Sequence, residues 1–122
     1  MGCLPFVARC YRDIVQRLSV RAEASGAGRV TLVATTASAG QESLAALSEL
    51  ALAVAYTNAP RDRQVSPPIK LRIGSFVART VWSGTIRATA QASRCGRGWL
   101  LECELRDEQG RVLSTAFAHA PD

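Results

Sequence analysis

The chain of 122 residues has few of the residues on which metal and nucleophile chemistry usually depends. It contains one histidine, one lysine and one methionine, and aromatic residues make up 6% of it. Its four cysteines form no C-x-x-C pair, so an ordinary zinc site is not expected. The sequence also contains no G-x-S-x-G turn and no Gly-rich phosphate loop. We therefore expect no metal and no cofactor, and neither a serine hydrolase nor a nucleotide hydrolase.

Long apolar runs are also missing, and no basic segment precedes an apolar one at the N-terminus. A membrane span or a secretory signal would need such features. We expect a cytoplasmic protein that makes no membrane contact, with its cysteines reduced and two of them filling the core. The cysteines are Cys3, Cys10, Cys95 and Cys103.

Positive charge is carried almost entirely by arginine, with 14 Arg, one Lys and a formal net charge of +5. This bias has two interpretations: the codon usage of a GC-rich bacterium, or an anionic ligand, because guanidinium groups match phosphate geometry. No dense basic run occurs, and aromatic residues do not alternate with the arginines. Nucleic-acid binding is therefore disfavoured.

Hydrophobic residues make up 48% of the chain, and alanine is abundant. This is enough apolar material for one domain over residues 1–122. A core of small residues favours close packing, such as a helix lying directly on a sheet.

Apolar periodicity predicts the order of the elements. Residues 5–18 have the four-residue spacing of a short amphipathic helix. Alternation around the turn at 26–28 predicts a hairpin that ends near residue 36. Residues 40–57 have helical spacing and are apolar nearly all round, which predicts a buried helix that ends at Asn58.

The second half of the chain reads as a meander of alternating strands. Long strands with one apolar face need a covering layer, and the 40–57 helix is the only segment apolar enough to supply it. The predicted fold class is α+β, with a long central helix wrapped by a curved antiparallel sheet of five to six strands. The predicted turns between the later strands are 82–84, 95–98 and 107–110.

Two segments resemble the hotdog thioesterase superfamily, in particular its phenylacetate-degradation type. Residues 44–51 (LAALSELA) are similar to the helix pattern of that family. Residues 76–97 and the turn at 107–110 are similar to the family's later motifs in order and spacing. The resemblance covers about residues 5–119. It implies a hotdog fold and an acyl-CoA thioesterase-like activity at a dimer interface, in a homodimer or a homotetramer.

The start of the central helix departs from the family pattern. The family has His-Gly-Gly there, preceded by an Asn in the approach loop, whereas this chain has Gly40-Gln41-Glu42 after a segment, 35–39, without Asn. Backbone N–H groups at a helix start can stabilise an oxyanion, which makes Gln41 and Glu42 catalytic candidates beside the substrate-binding candidate Gly40. The alternative is that they only begin the helix, with Glu42 complementing its dipole.

Glu49 is the main catalytic candidate. In the family, an acidic residue at this helix position acts as general base or nucleophile. Independently, a carboxylate inside an apolar helix needs a hydrogen-bond partner, water or a chemical role. The alternatives are that Glu49 pairs with an arginine across the dimer or that it faces solvent, and both stay open.

The same helix face carries Glu42, Ala46, Ala53 and Tyr56. This stripe would line a narrow groove for an acyl chain, or would let another backbone pack closely. Two carboxylates beside one pocket also suit a cationic ligand, and then the protein would be a binding module. Arg79 and Arg97 are, by the resemblance, candidates for binding CoA phosphates, with solvated surface charge as the alternative.

Overall fold

The computed structural model describes residues 11–59, 72–77 and 81–121. Within them the chain forms two helices and six strands in the predicted order. These are α1 (Arg12–Arg17), β1 (Arg21–Gly26), β2 (Arg29–Gly40), α2 (Gln41–Thr57), β3 (Arg72–Val77), β4 (Val81–Cys95), β5 (Gly98–Arg106) and β6 (Val112–Pro121). The first turns of the predicted 5–18 helix and the loop after Asn58 lie outside the described residues.

All six strands belong to one antiparallel sheet in the order β1-β2-β4-β5-β6-β3. Tight turns join β1 to β2, β4 to β5 and β5 to β6, as the glycine-containing turn segments predict. Among the described strands β3 pairs only with β6, from Arg72 opposite His119 to Val77 opposite Ser114, and it forms one edge of their sheet. An edge strand has backbone groups that can pair with a further strand.

The helix α2 packs against one face of this sheet and forms the centre of the core. Its residues Leu44, Leu47, Leu50 and Val54 are completely buried. Several of the buried strand residues are small, including Ala88 and Ala90 of β4 and Ala116 and Ala118 of β6. Small side chains let the helix approach the sheet closely. The predicted buried helix is confirmed, and the architecture is the α+β hotdog fold.

The short helix α1 packs against this core, next to α2. Ile14 and Leu18, one turn apart, are 5% and 0% exposed. The carbonyl of Leu18 accepts a 2.8 Å hydrogen bond from the N–H of Thr35 on β2. This anchoring fixes where the side chains at the start of α1 lie relative to α2.

Two predicted irregular segments are strands instead. Residues 35–39, read as an approach loop, continue β2 to Gly40, and Trp82-Ser83-Gly84, read as a turn, lies inside β4. The two segments pair with each other, with a register shift between Thr36 and Ala39. The local preference of these residues for a turn or loop was overcome because strand pairing satisfies the backbone hydrogen bonds of both segments. A β-bulge accommodates the register shift.

Candidate functional site

The strand β2 leads directly into the N-terminus of α2. Gly40 caps the helix with an extended backbone and no side-chain hydrogen bond. The first N–H groups of a helix have no partner within the helix, so those near Gln41 and Glu42 remain donors. Glu42 is exposed in this first turn. Its carboxylate complements the helix dipole, as the simpler interpretation of this residue predicts.

Glu49 lies two turns further along α2 and is half-buried. The hydroxyl of Tyr11, at the start of α1, donates a hydrogen bond of 3.3 Å to its Oε1 atom. Within the described part of the chain, no arginine forms an ion pair with Glu49. Among the described residues the acid is therefore oriented by a neutral phenol, is half-buried and forms no ion pair.

A second contact between the same two helices lies near the start of α2. Arg17 donates through Nη1 to the hydroxyl of Ser43 over 3.4 Å, and it also pairs with Asp13 on its own helix. The sequence analysis gave neither Tyr11 nor Arg17 a role in the site. The available signal was spacing: Tyr11 lies three residues before the buried Ile14, so both project from one face of the helix.

The stripe of small residues and acids becomes more buried along α2. Glu42 is exposed, Ala46 and Glu49 are half-buried, and Ala53 and Tyr56 are 0% and 2% exposed. In the protomer, the second half of the stripe is therefore core packing and not an open groove. An incoming molecule meets the stripe only between Glu42 and Glu49.

The two predicted catalytic elements do not converge within one protomer. Eight residues separate Gln41 from Glu49, and a rise of 1.5 Å per residue places them about 12 Å apart along the helix. One carbonyl group cannot contact an N–H donor at the helix start and also lie within about 3 Å of a water held by Glu49 of the same helix.

The predicted phosphate-binding arginines lie elsewhere or outside the described residues. Arg97 is exposed in the turn between β4 and β5, whereas Arg79 is not among the described residues. That turn lies near the C-terminal end of α2, because the N–H of Ala92 bonds to Gly28 and the N–H of Gly28 bonds to Asn58. Arg97 is thus at the opposite end of α2 from Gly40. The only histidine of the sequence, His119, is exposed on β6.

A groove of about 520 Å³ lies on the face of the sheet that is turned away from α2. Exposed residues of β4, β5 and β6 line it, among them Gln91, Glu102 and Phe117. None of the predicted site residues contributes to this groove. It is separated from Glu49 by the thickness of the sheet, so we assign it no part in the candidate site.

The remaining sequence expectations concern cysteines, metals and membranes. Of the four cysteines, two of which were expected in the core, Cys103 is buried and Cys95 is exposed, and Cys3 and Cys10 lie outside the described residues. Burial raises the pKa of the Cys103 thiol to about 12 despite a hydrogen bond with Ser48. Over residues 11–59, 72–77 and 81–121, no cluster of acids, histidines or cysteines suits a metal ion, and no helix is long and apolar enough to cross a membrane.

Solved structures with this fold include proteins from phenylacetic acid degradation. The chain is similar to the Escherichia coli PaaI protein from the phenylacetic acid degradation operon, with 16% identity and a TM-score of 0.74 over 98% of this chain and 95% of that one. A phenylacetic acid degradation-related putative thioesterase from Ralstonia eutropha JMP134 is 18% identical, with a TM-score of 0.73 and coverage of 96% and 99%. Zebra fish thioesterase superfamily member 2 is 14% identical, with a TM-score of 0.78 and coverage of 98% and 92%.

No protein-family model matches the chain, and no curated protein matches it by sequence. At these identities the structural likeness shows the fold, and it confirms the hotdog, PaaI-like architecture suggested by the sequence. The function has to be argued from the site.

Proposed function

We propose that this protein is a cytoplasmic enzyme that hydrolyses a small acyl-CoA thioester. Its active site is shared by two subunits. Glu49 of one subunit is the general base, and backbone N–H groups near Gln41 and Glu42 of the other subunit receive the oxyanion. Gly40 and Ala46 border the acyl group, and Arg79 and Arg97 bind the phosphates of CoA. The observation that carries the proposal is Glu49: a half-buried carboxylate, oriented by Tyr11, on the central helix of a fold used by thioesterases.

The need for two subunits follows from the 12 Å between the helix start and Glu49. A second copy supplies the missing half when its helix start faces Glu49 of the first. The outer edge of β3, which pairs with no other described strand, offers a means of joining two copies, because a strand of the second copy could pair with its backbone N–H and C=O groups. A homodimer, or a dimer of such dimers, is therefore part of the proposal.

The proposed reaction needs no cofactor. Glu49 removes a proton from a water molecule, and the hydroxide oxygen forms a bond to the thioester carbonyl carbon. The carbonyl oxygen becomes an oxyanion that accepts hydrogen bonds from the helix N–H groups. When the intermediate collapses, the carbon–sulfur bond breaks and the proton held by Glu49 passes to the CoA sulfur. The products are a carboxylic acid and CoA thiol.

The test is hydrolysis of a panel of short aliphatic and aromatic acyl-CoA thioesters, measured by the thiol released. We expect hydrolysis by the wild-type protein and a loss of at least about 100-fold in kcat for Glu49→Gln, because general-base catalysis contributes roughly 10² to 10⁴. Glu104→Gln, on the far face of the sheet, is the matched control and should retain full activity. Equal activity of Glu49→Gln and the wild-type protein would refute Glu49 as the base.

The altered helix start favours a second candidate, a non-catalytic hotdog module that binds a small ligand or acyl group at the same place. Glu42 puts a carboxylate in the first turn of α2, near the position where an oxyanion would form. Negative charge there opposes the chemistry unless the side chain points away. A binding module would hydrolyse no thioester of the panel, and Glu49→Ala would change only the thermal stabilisation produced by acyl-CoA.

A further inference from the structure

We infer that Tyr11 is a positioning residue for Glu49, so that the N-terminal helix of the chain takes part in its site. The inference rests on the proposed function for its consequence in catalysis. The contact itself rests on geometry: Tyr11 Oη lies 3.3 Å from Glu49 Oε1, and the two residues are 38 positions apart in sequence. Both side chains are partly buried, so water competes for this hydrogen bond less than it would at the surface.

The phenol is held in place by the packing of α1 and not by the hydrogen bond alone. Ile14, one turn after Tyr11, is 5% exposed, and Leu18 is completely buried. The carbonyl of Tyr11 also accepts the N–H of Val15 at 3.1 Å, which begins the helix. Most of the conformational entropy of the Tyr11 side chain is therefore already lost on folding, as a preorganised site requires.

The contact gives the two carboxylate oxygens of Glu49 different roles. Oε1 accepts the phenol hydrogen, and no donor of the described residues is bonded to Oε2. In the proposed reaction Oε2 is the oxygen that takes the proton from water. A neutral donor also suits a general base better than a cation would, because a full positive charge stabilises a carboxylate strongly and weakens it as a base. A second donor, Arg17, lies at Ser43 and not at Glu49.

The deciding variant is Tyr11→Phe, which removes one oxygen and keeps the ring. We expect kcat for the best acyl-CoA of the panel to fall about tenfold, with KM changed less than about twofold, because the loss is one hydrogen bond to a charged group that does not bind substrate. Ile14→Val is the matched control. It removes one methylene group from the packed face of α1, which is too little to displace the helix, and it keeps the hydroxyl, so it should retain kcat. An equal loss in both variants would mean that α1 matters only for folding, and would overturn the inference.

A second readout does not depend on hydrolysis. The carboxyl ¹³C resonance of Glu49, in protein labelled on its six glutamates and assigned with Glu49→Gln, reports the hydrogen bond directly. We expect the resonance to move in Tyr11→Phe and to stay in Ile14→Val. If the wild-type protein cleaves no thioester, the proposed function fails, and the resonance alone decides whether Tyr11 orients Glu49. An unmoved resonance overturns the inference in either case, and full kcat in Tyr11→Phe overturns its catalytic part while the proposed function stands.

Discussion

Shortening one leucine of the central helix tests the packing on which the whole structure depends. Leu50 is completely buried between α2 and the sheet. Leu50→Ala removes three carbons and leaves a cavity that close-packed neighbours fill only in part. Buried leucines that are shortened in this way cost about 2–5 kcal/mol, and we expect about 3 kcal/mol here. For 122 residues the unfolding entropy is about 0.26 kcal/mol per kelvin, so the expected fall in Tm is about 12 °C.

The measurement is thermal and guanidinium unfolding followed by far-UV circular dichroism at one fixed protein concentration, since assembly would add to stability. Leu50→Met is the matched control: it keeps the volume of the side chain and should cost less than about 1.5 kcal/mol. A loss below about 1 kcal/mol for Leu50→Ala would place Leu50 near the surface. The picture of α2 as a dry helix covered by the sheet would then be wrong.

Three further predictions concern the turns and the cysteines. Gly28→Ala should destabilise the protein by about 1–2 kcal/mol in guanidinium unfolding, because Gly28 has φ +69° and an added Cβ would lie 3.1 Å from a carbonyl oxygen of β4. Gly96→Ala is the control: Gly96 has φ +59° but open space around an added Cβ, so this variant should lose less stability. Equal losses of stability in the two variants would contradict this prediction. Iodoacetamide at pH 8 should label Cys95 and spare Cys103, whose pKa of about 12 leaves almost no thiolate; peptide mapping that finds both labelled at similar rates would disprove the burial of Cys103. Burial raises the pKa of Asp107, but hydrogen bonds from Arg111 and Gln109 and the charge of Arg111 outweigh it and hold the pKa below its ordinary value. Asp107→Asn should therefore lower Tm at pH 7. The difference should shrink as pH falls below about 4, the ordinary pKa of an aspartate in the unfolded chain, and should vanish below the lowered pKa of the folded state; a constant difference would refute this.

Much of the fold could be predicted because its signals are local. The spacing of leucines between residues 40 and 57 indicated a helix, and the absence of a polar face indicated burial, as α2 confirms. Alternation in β5 and β6, with glycines at the turns, located the hairpins of the second half. The two errors fell on segments 35–39 and 82–84, which lack a clear period and become strands only because they pair with each other.

The candidate site was less accessible to the same reasoning. Glu49 stood out as a charge within an apolar helix, and its partial burial is what that pattern predicts. Its partner Tyr11 could not be identified from the sequence, because an aromatic residue on an amphipathic helix is usually part of the core. Only the docking of α1 on α2 brings the phenol to the carboxylate across 38 positions of sequence. The predicted stripe was also only partly correct as an open surface, since Ala53 and Tyr56 are enclosed by the core.

The sequence by itself determined the periods of the elements, the apolar character of the central helix and the presence of one acid within it, because these depend on residues a few positions apart. The tertiary structure decided which strands are neighbours, that β3 lies at an edge, and that the phenol of Tyr11 contacts Glu49. Such contacts depend on how distant segments pack, and no local pattern of side chains encodes the distance between them.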